Sequence, residues 1–139
     1  MIKTMINSRN ILTLLLAVIF LAACSTNESS ETLYKQVQDY HDVAMGKMGA
    51  LKKGQKVIKG KLDASEEELA EEQRNDLKEK LRKIENADDK MMTWMRQFST
   101  SYDAELPETE KVKILQSELA KIQEIDEEMT EAVEIVESL

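Results

Sequence analysis

Three long segments of the chain place apolar side chains mostly at every third or fourth residue, and this period constrains the fold more than any other feature. The period puts the apolar side chains on one face of an α-helix. The three apolar stripes are Leu33, Val37, Tyr40, Ala44, Met48, Leu51, Ile58 and Leu62; Leu69, Leu77, Leu81, Ile84, Met91, Met95 and Phe98; and Val112, Leu115, Leu119, Ile122, Ile125, Met129, Val133 and Val136. No segment alternates apolar and polar residues as a half-buried strand does. The sequence therefore predicts an all-α fold.

Capping signals place the ends of these helices. Ser65 followed by Glu66, Glu67 and Glu68 is typical of a capping box, and Pro107 suits the first turn of a helix. We expect helices over about 31–62, 66–100 and 107–138, forming one domain over 31–139. Because the links are short, the expected architecture is an elongated, antiparallel, coiled-coil-like three-helix bundle. Homo-oligomer formation through the same stripes is a further possibility.

Blocks of opposite charge flank the first predicted turn. Basic residues crowd the end of the first helix, and acidic residues crowd the start of the second. The blocks are Lys52, Lys53, Lys56, Lys59 and Lys61 and then Glu66, Glu67, Glu68, Glu71 and Glu72. Antiparallel packing favours pairing between the two blocks, and the alternative is a basic patch for an anionic ligand.

The first 23 residues are typical of a bacterial export signal. Lys3 and Arg9 charge the amino-terminal part, and residues 11–21 form an apolar run that is short for a membrane span. The sequence Leu21-Ala22-Ala23-Cys24 resembles the lipobox of bacterial lipoproteins. The alternatives are a transmembrane anchor, or an ordinary secretory signal followed by a chance cysteine.

Resemblance to lipoproteins implies that a peptidase cleaves before Cys24 and that its thiol carries a diacylglycerol. Residues 24–30 are polar, and we expect them to tether the lipid to the helical domain. The acyl chains would then hold the protein on a membrane, since every methylene buried in the bilayer adds to the free energy of binding. By resemblance, Ser25 after the cysteine implies the outer membrane, with the domain in the periplasm or at the cell surface.

Composition narrows the functional classes. The formal net charge is −8, and the two charges in the first 23 residues are both basic, so the remainder is more acidic still. An acidic surface argues against nucleic-acid binding, which needs clustered cations. Cys24 is the only cysteine, and no serine or cysteine is paired with a base. We therefore expect a protein that is not an enzyme.

One cluster of residue types is suited to chemistry. His41, Met45 and Met48 share a face of the first helix. The second helix carries Asp88, Met91, Met92, Trp94 and Met95 within two turns, so five of the six methionines beyond residue 24 lie in these two stretches.

Thioether and imidazole groups are ligands that suit Cu(I) or Ag(I), and a tryptophan face stabilises a nearby cation. The residue types are similar to the Met, His and Trp set of some periplasmic copper and silver chaperones, although those proteins are β-barrels. Residues 33–98 otherwise resemble small helical bacterial lipoproteins that carry His-Asp-x-x-Met-x-x-Met and Ala-Asp-x-x-Met-Met-x-Trp-Met. That resemblance implies no particular activity.

The alternative interpretation of the cluster is packing. Methionine at helical spacing fills apolar cores, Trp94 could pack with Phe98 and Tyr34, and His41 could bond Asp42 or Asp88 at the rim. A turn near residues 63–65 places His41 opposite about residue 86.

Two functions remain open at this stage. The first is a non-catalytic interaction or structural module that binds an envelope protein, and the second is a soft-metal lipoprotein that uses the His/Met/Trp cluster.

Overall fold

The computed structural model describes residues 28–64 and 69–139. They form three helices, α1 (Ser30–Ala64), α2 (Glu71–Ser101) and α3 (Glu108–Glu137), and no strand occurs among them. The predicted signal peptide, Cys24 and the capping box at 65–68 lie outside the described residues. Within the described ranges, no helix contains an apolar stretch that could span a lipid bilayer.

The three helices pack as an up-down-up bundle. Contacts between α1 and α3 run parallel: Lys47 Nζ donates to Asp126 Oδ1 at 2.6 Å, and Lys61 Nζ donates to the carbonyl of Leu139 at 2.8 Å. Contacts between α1 and α2 run antiparallel, since Lys59 pairs with Glu85 and the earlier Lys52 pairs with the later Asp88. Each helix contacts the other two. The prediction of an all-α three-helix bundle is confirmed.

The core follows the predicted stripes with a few changes. Its fully buried larger side chains are Leu33, Val37, Leu51, Ile58, Ile84, Met91, Leu115, Ile122 and Met129. Tyr40 was expected in the stripe, but 36% of its surface is exposed. Two carboxylates, Asp88 and Glu118, are buried within the same interior.

A close approach of α1 and α3 explains one glycine. A Cβ built on Gly54 would lie 2.3 Å from Cγ2 of Val136, which is far inside van der Waals contact. The helices meet here at a distance that only a residue without a side chain permits. Glycine therefore has a packing role at this position, despite its cost within a helix.

The first helix begins at Ser30, one residue before the expected start. Ser29 acts as the N-cap, because its Oγ accepts from the N–H of Thr32 at 3.3 Å and its carbonyl from the N–H of Leu33 at 3.1 Å. Ser30, expected at the end of the tether, is 7% exposed and belongs to the helical bundle.

The second helix begins at Glu71 rather than near residue 66, because Leu69 and Ala70 are not helical. Gln73 Oε1 accepts from the N–H of Ala70 at 3.2 Å and so satisfies one amide at the new start. A helix from residue 66 would set glutamates one turn apart, and such like charges repel.

This later start changes the register between α1 and α2. The ring centroid of His41 lies 6.1 Å from that of Trp94, eight residues beyond the expected position 86. The predicted register is therefore wrong, since it assumed an earlier turn. Every pairing inferred from it moves toward the end of α2.

Candidate functional site

His41 lies at the rim of the α1–α2 interface. Its side chain is 27% exposed, and Nδ1 lies 2.9 Å from Oδ1 of Asp42 on the same helix. The ring is tilted by 37° against Trp94. These contacts match the packing interpretation, which placed His41 at the rim with a bond to Asp42.

Trp94 belongs to an aromatic cluster formed with Tyr34, Phe98 and Tyr102. It stacks on Phe98 with ring centroids 5.1 Å apart, and Phe98 stacks on Tyr102 at 5.7 Å. Tyr34 of α1 completes the cluster at 5.1 Å from Tyr102. Stacked rings bury a large apolar area, so the aromatic cluster fastens the start of α1 to the end of α2. The expected packing of Trp94 with Phe98 is confirmed, while Tyr34 contacts Phe98 and Tyr102.

The five methionines of the predicted metal cluster lie in three different environments. Met91 is fully buried in the core, and Met48 and Met95 are partly buried against it. Met45 and Met92 are the exposed members, at 37% and 38%. A fully buried thioether serves as core packing, the role that methionine commonly has.

Asp88 is held by the first helix at a point well away from His41. Lys52 Nζ donates to Asp88 Oδ2, and Gln55 Nε2 donates to the same oxygen at 3.4 Å. Asp88 lies six residues before Trp94, the residue that contacts His41, which is about 9 Å along the axis of α2. Ligands of one metal ion lie within about 2.5 Å of it. Because Lys52 and Gln55 of α1 both bind Oδ2 of Asp88 on α2, this carboxylate has a role in helix pairing.

The other oxygen of that carboxylate stands out among the described residues. Asp88 is 5% exposed, and its Oδ1 is a buried side-chain atom without a hydrogen-bond partner. Within the described ranges, no group of three or more His, Cys, Asp or Glu side chains could hold a metal ion.

Glu118, the second buried carboxylate, was not expected in the interior from the sequence. Trp94 Nε1 donates to its Oε2 at 2.9 Å, and Lys121 Nζ donates to its Oε1 at 2.7 Å. A buried charge needs such partners, and here one comes from each of α2 and α3. The available signal was its position, three residues after Leu115 and four before Ile122, on the apolar face of α3.

Beside Glu118 and Trp94, an open groove runs between α2 and α3. Its volume is about 430 Å³. The lining residues are Asn86, Asp89, Lys90, Thr93, Trp94, Gln97, Lys121, Glu124, Ile125 and Glu128. Trp94 and Ile125 are almost fully buried and form an apolar floor, while charged side chains form both rims. We call this feature the Trp94 groove.

The cations of the Trp94 groove already have partners, whereas two of its carboxylates do not. Lys90 pairs with Glu128 across the groove, and Lys121 binds Glu118 beside it. Asp89 and Glu124 make no ion pair or hydrogen bond with any described residue. The charge left available in the groove is therefore negative.

The lysines at the end of α1 have different partners from those expected. Lys52 pairs with Asp88 and Lys59 with Glu85, both of them well inside α2. The acidic block was expected to supply these partners, but the observed register places these lysines beyond it. Glu66, Glu67 and Glu68 lie outside the described residues.

A carboxylate from α3 holds the first residue of α1. Glu108 accepts from the N–H of Ser30 at 2.8 Å and from its Oγ at 2.8 Å. The first N–H groups of a helix have no partner within it, so this cross-helix bond satisfies one of them. The backbone N–H of Ser30, followed by its hydroxyl, lowers the pKa of Glu108 below its ordinary value.

Comparison of the chain with models of known protein families, with curated proteins and with solved structures gave no match.

Proposed function

We propose that the protein is a non-catalytic interaction module of the bacterial cell envelope. In this proposal a lipid on Cys24 holds the chain to a membrane, and residues 25–29 connect it to α1. The helical bundle presents the Trp94 groove to a segment of another envelope protein. The lipobox supports the anchoring, and the groove supports the binding.

The observation that carries the binding proposal is the combination of an apolar floor with unpaired carboxylates. Trp94 and Ile125 are almost fully buried, and the small part of each side chain that remains exposed forms the apolar base of the groove. Asp89 on one rim and Glu124 on the other are available for cations. The groove thus suits one apolar side chain flanked by lysines or arginines.

Charge complementarity also supports a basic partner segment. The chain has a formal net charge of −8, so its long-range field attracts a basic segment and repels an acidic one. The predicted partner binds faster at low ionic strength.

The sole tryptophan of the chain makes a direct test possible. Full chain purified in a mild non-ionic detergent is titrated with short peptides that present one leucine or phenylalanine between two lysines. We expect saturable changes in Trp94 emission, because this ring forms the floor of the groove. Peptides with glutamates in place of the lysines should cause no saturable change.

Two variants assign the effect to the groove. Combining Asp89→Asn with Glu124→Gln should weaken the binding of the lysine peptides roughly tenfold, since two rim charges are lost. A matched control combines Asp103→Asn with Glu110→Gln, two exposed acids outside the groove. Equal binding of lysine and glutamate peptides would contradict the proposal, as would equal weakening by both double variants.

A further inference from the structure

The outward face of α1 carries opposite charges on its two halves. Asp39 and Asp42 lie toward the start of the helix, and Lys53 and Lys56 lie toward its end. All four side chains are exposed. Helical spacing places them on the face that points away from α2 and α3. We call this surface the α1 outer face.

Two glycines separate the acidic half from the basic half. A Cβ built on Gly46 or Gly49 would have no heavy atom within 4 Å, whereas Gly54 lies against Val136. Gly54 thus has a role inside the bundle, and the other two have none there. Without side chains at 46 and 49, another helix can approach the backbone of α1 closely.

We propose that the α1 outer face binds the same face of a second copy of this chain in antiparallel orientation. The two helices cross at the glycines, with Gly46 of each copy against Gly49 of the other. Asp42 then faces Lys53 of the second copy, and Asp39 faces Lys56. A two-fold axis between residues 47 and 48 generates each contact twice, as in the interface of a symmetric dimer.

The distribution of charge selects a second copy as the occupant. Asp42 and Lys53 lie equally far from the point between residues 47 and 48, and so do Asp39 and Lys56. Two copies of this face therefore have complementary charges only when the second helix runs in the opposite direction. A parallel pair would set Asp42 against Asp42 and Lys53 against Lys53. The antiparallel pair is therefore the favourable arrangement.

Contacts within one copy leave these charges available. Asp39 pairs with Lys35 and Asp42 with His41, and in each pair the carboxylate is more than 60% exposed. Exposed ion pairs of this kind contribute little to stability, so Asp39 and Asp42 can exchange them for ion pairs with a second copy. Lys53 and Lys56 make no ion pair with any described residue. The α1 outer face is also separate from the Trp94 groove, which only α2 and α3 line.

Charge reversal tests this arrangement. One variant combines Lys53→Asp with Lys56→Asp, and another combines Asp39→Lys with Asp42→Lys. Full chain in mild non-ionic detergent is examined by sedimentation equilibrium over a range of concentrations. We expect wild type to dimerise, each variant alone to dimerise at least roughly tenfold more weakly, and an equimolar mixture of the variants to form a mixed dimer.

A matched control has the same change in net charge elsewhere. Lys78→Asp with Lys113→Asp alters exposed residues of α2 and α3, and we expect it to dimerise as wild type does. Circular dichroism verifies that every variant remains helical. Monomeric wild type at all concentrations would overturn the proposal, and so would a mixture that stays monomeric or a control that is weakened equally.

The glycines are tested separately from the charges. Gly46→Gln and Gly49→Gln add a long polar side chain where the copies would touch, and each should weaken dimerisation without unfolding the monomer, since the space around them is open. Gly60→Gln is the control, because its Cβ also meets nothing and it lies away from the crossing. Unchanged dimerisation in Gly46→Gln and Gly49→Gln would overturn the antiparallel arrangement.

Discussion

The glycines of α1 show how one residue type can serve different purposes along a single helix. Each glycine inside a helix costs up to about 1 kcal/mol relative to alanine. At Gly54 the cost is offset by the close packing of α3, because Val136 occupies the space of the missing side chain. At Gly46 no contact within the bundle offsets it.

We therefore expect alanine to have opposite effects at these two positions. Gly54→Ala should lower the free energy of unfolding by about 1–3 kcal/mol, as overpacking in cores does. Gly46→Ala should raise it by about 0.5–1 kcal/mol through helix propensity alone. Urea unfolding followed by circular dichroism, at concentrations low enough to keep the chain monomeric, measures both. Equal effects of the two substitutions would contradict this account of Gly54.

The soft-metal hypothesis can also be tested with single residues. We expect wild type, His41→Ala and Met45→Leu to bind Cu(I) with equal affinity in competition titrations. The reason is that Met91 is fully buried and Asp88 is held by Lys52, so the predicted ligand set is divided. A tenfold or greater loss of affinity in either variant would instead support a metal site at His41.

Among the elements, α1 depends on α3 at its first turn. Ser29 caps the helix from within the chain, and Glu108 binds Ser30 from the neighbouring helix. In the proposed function this is where the tether enters the bundle. We call the bond between Glu108 and Ser30 the Glu108 clamp. It lies where a pull from the membrane would first reach the folded domain.

The clamp should contribute stability that depends on pH. Because the folded state lowers the pKa of Glu108, the contribution is complete above the ordinary pKa of glutamate. It is lost as the pH falls through the lowered pKa. Glu108→Gln should therefore be less stable than wild type at neutral pH, and the difference should vanish in acid.

Urea unfolding at several pH values measures this difference. Glu110→Gln serves as the control, since Glu110 also lies in the first turn of α3 and shares the helix-dipole effect. A stability difference that persists unchanged into strong acid would contradict the role of the Glu108 carboxylate.

At the scale of the whole molecule, the proposed anchor determines where the bundle can act. α1 has 35 residues and is about 52 Å long. In the proposed antiparallel dimer the two Ser30 residues lie near opposite ends of the pair. With both tethers attached to one membrane, the dimer would lie along the membrane surface, and the Trp94 groove of each copy would stay close to it.

We expect Cys24→Ser to release the protein from the membrane fraction. In wild type, mass spectrometry should find a chain that begins at residue 24 and carries acyl groups. Ser25→Ala is the control, because it changes the next residue and leaves the lipobox intact. A Cys24→Ser variant that stays with the membrane, together with a wild type that retains residues 1–23, would instead support a transmembrane anchor.

The three helices follow from the local pattern of residues alone, because an apolar stripe such as Leu33, Val37 and Ala44 can be buried only along one face of a helix. The candidate acylation site at Cys24 can also be recognised in the sequence, since a lipobox is a local motif. The interior methionine Met91 was likewise expected from its place in the stripe.

Which residues meet between helices depends on the packing of the whole bundle. Local periodicity does not fix where a link ends, and the later start of α2 at Glu71 placed His41 opposite Trp94. The burial of Glu118 and the need for glycine at position 54 also depend on packing, because both follow from how closely α3 approaches its neighbours. A helix specifies its own apolar face, whereas the register and spacing of three helices follow from their mutual packing.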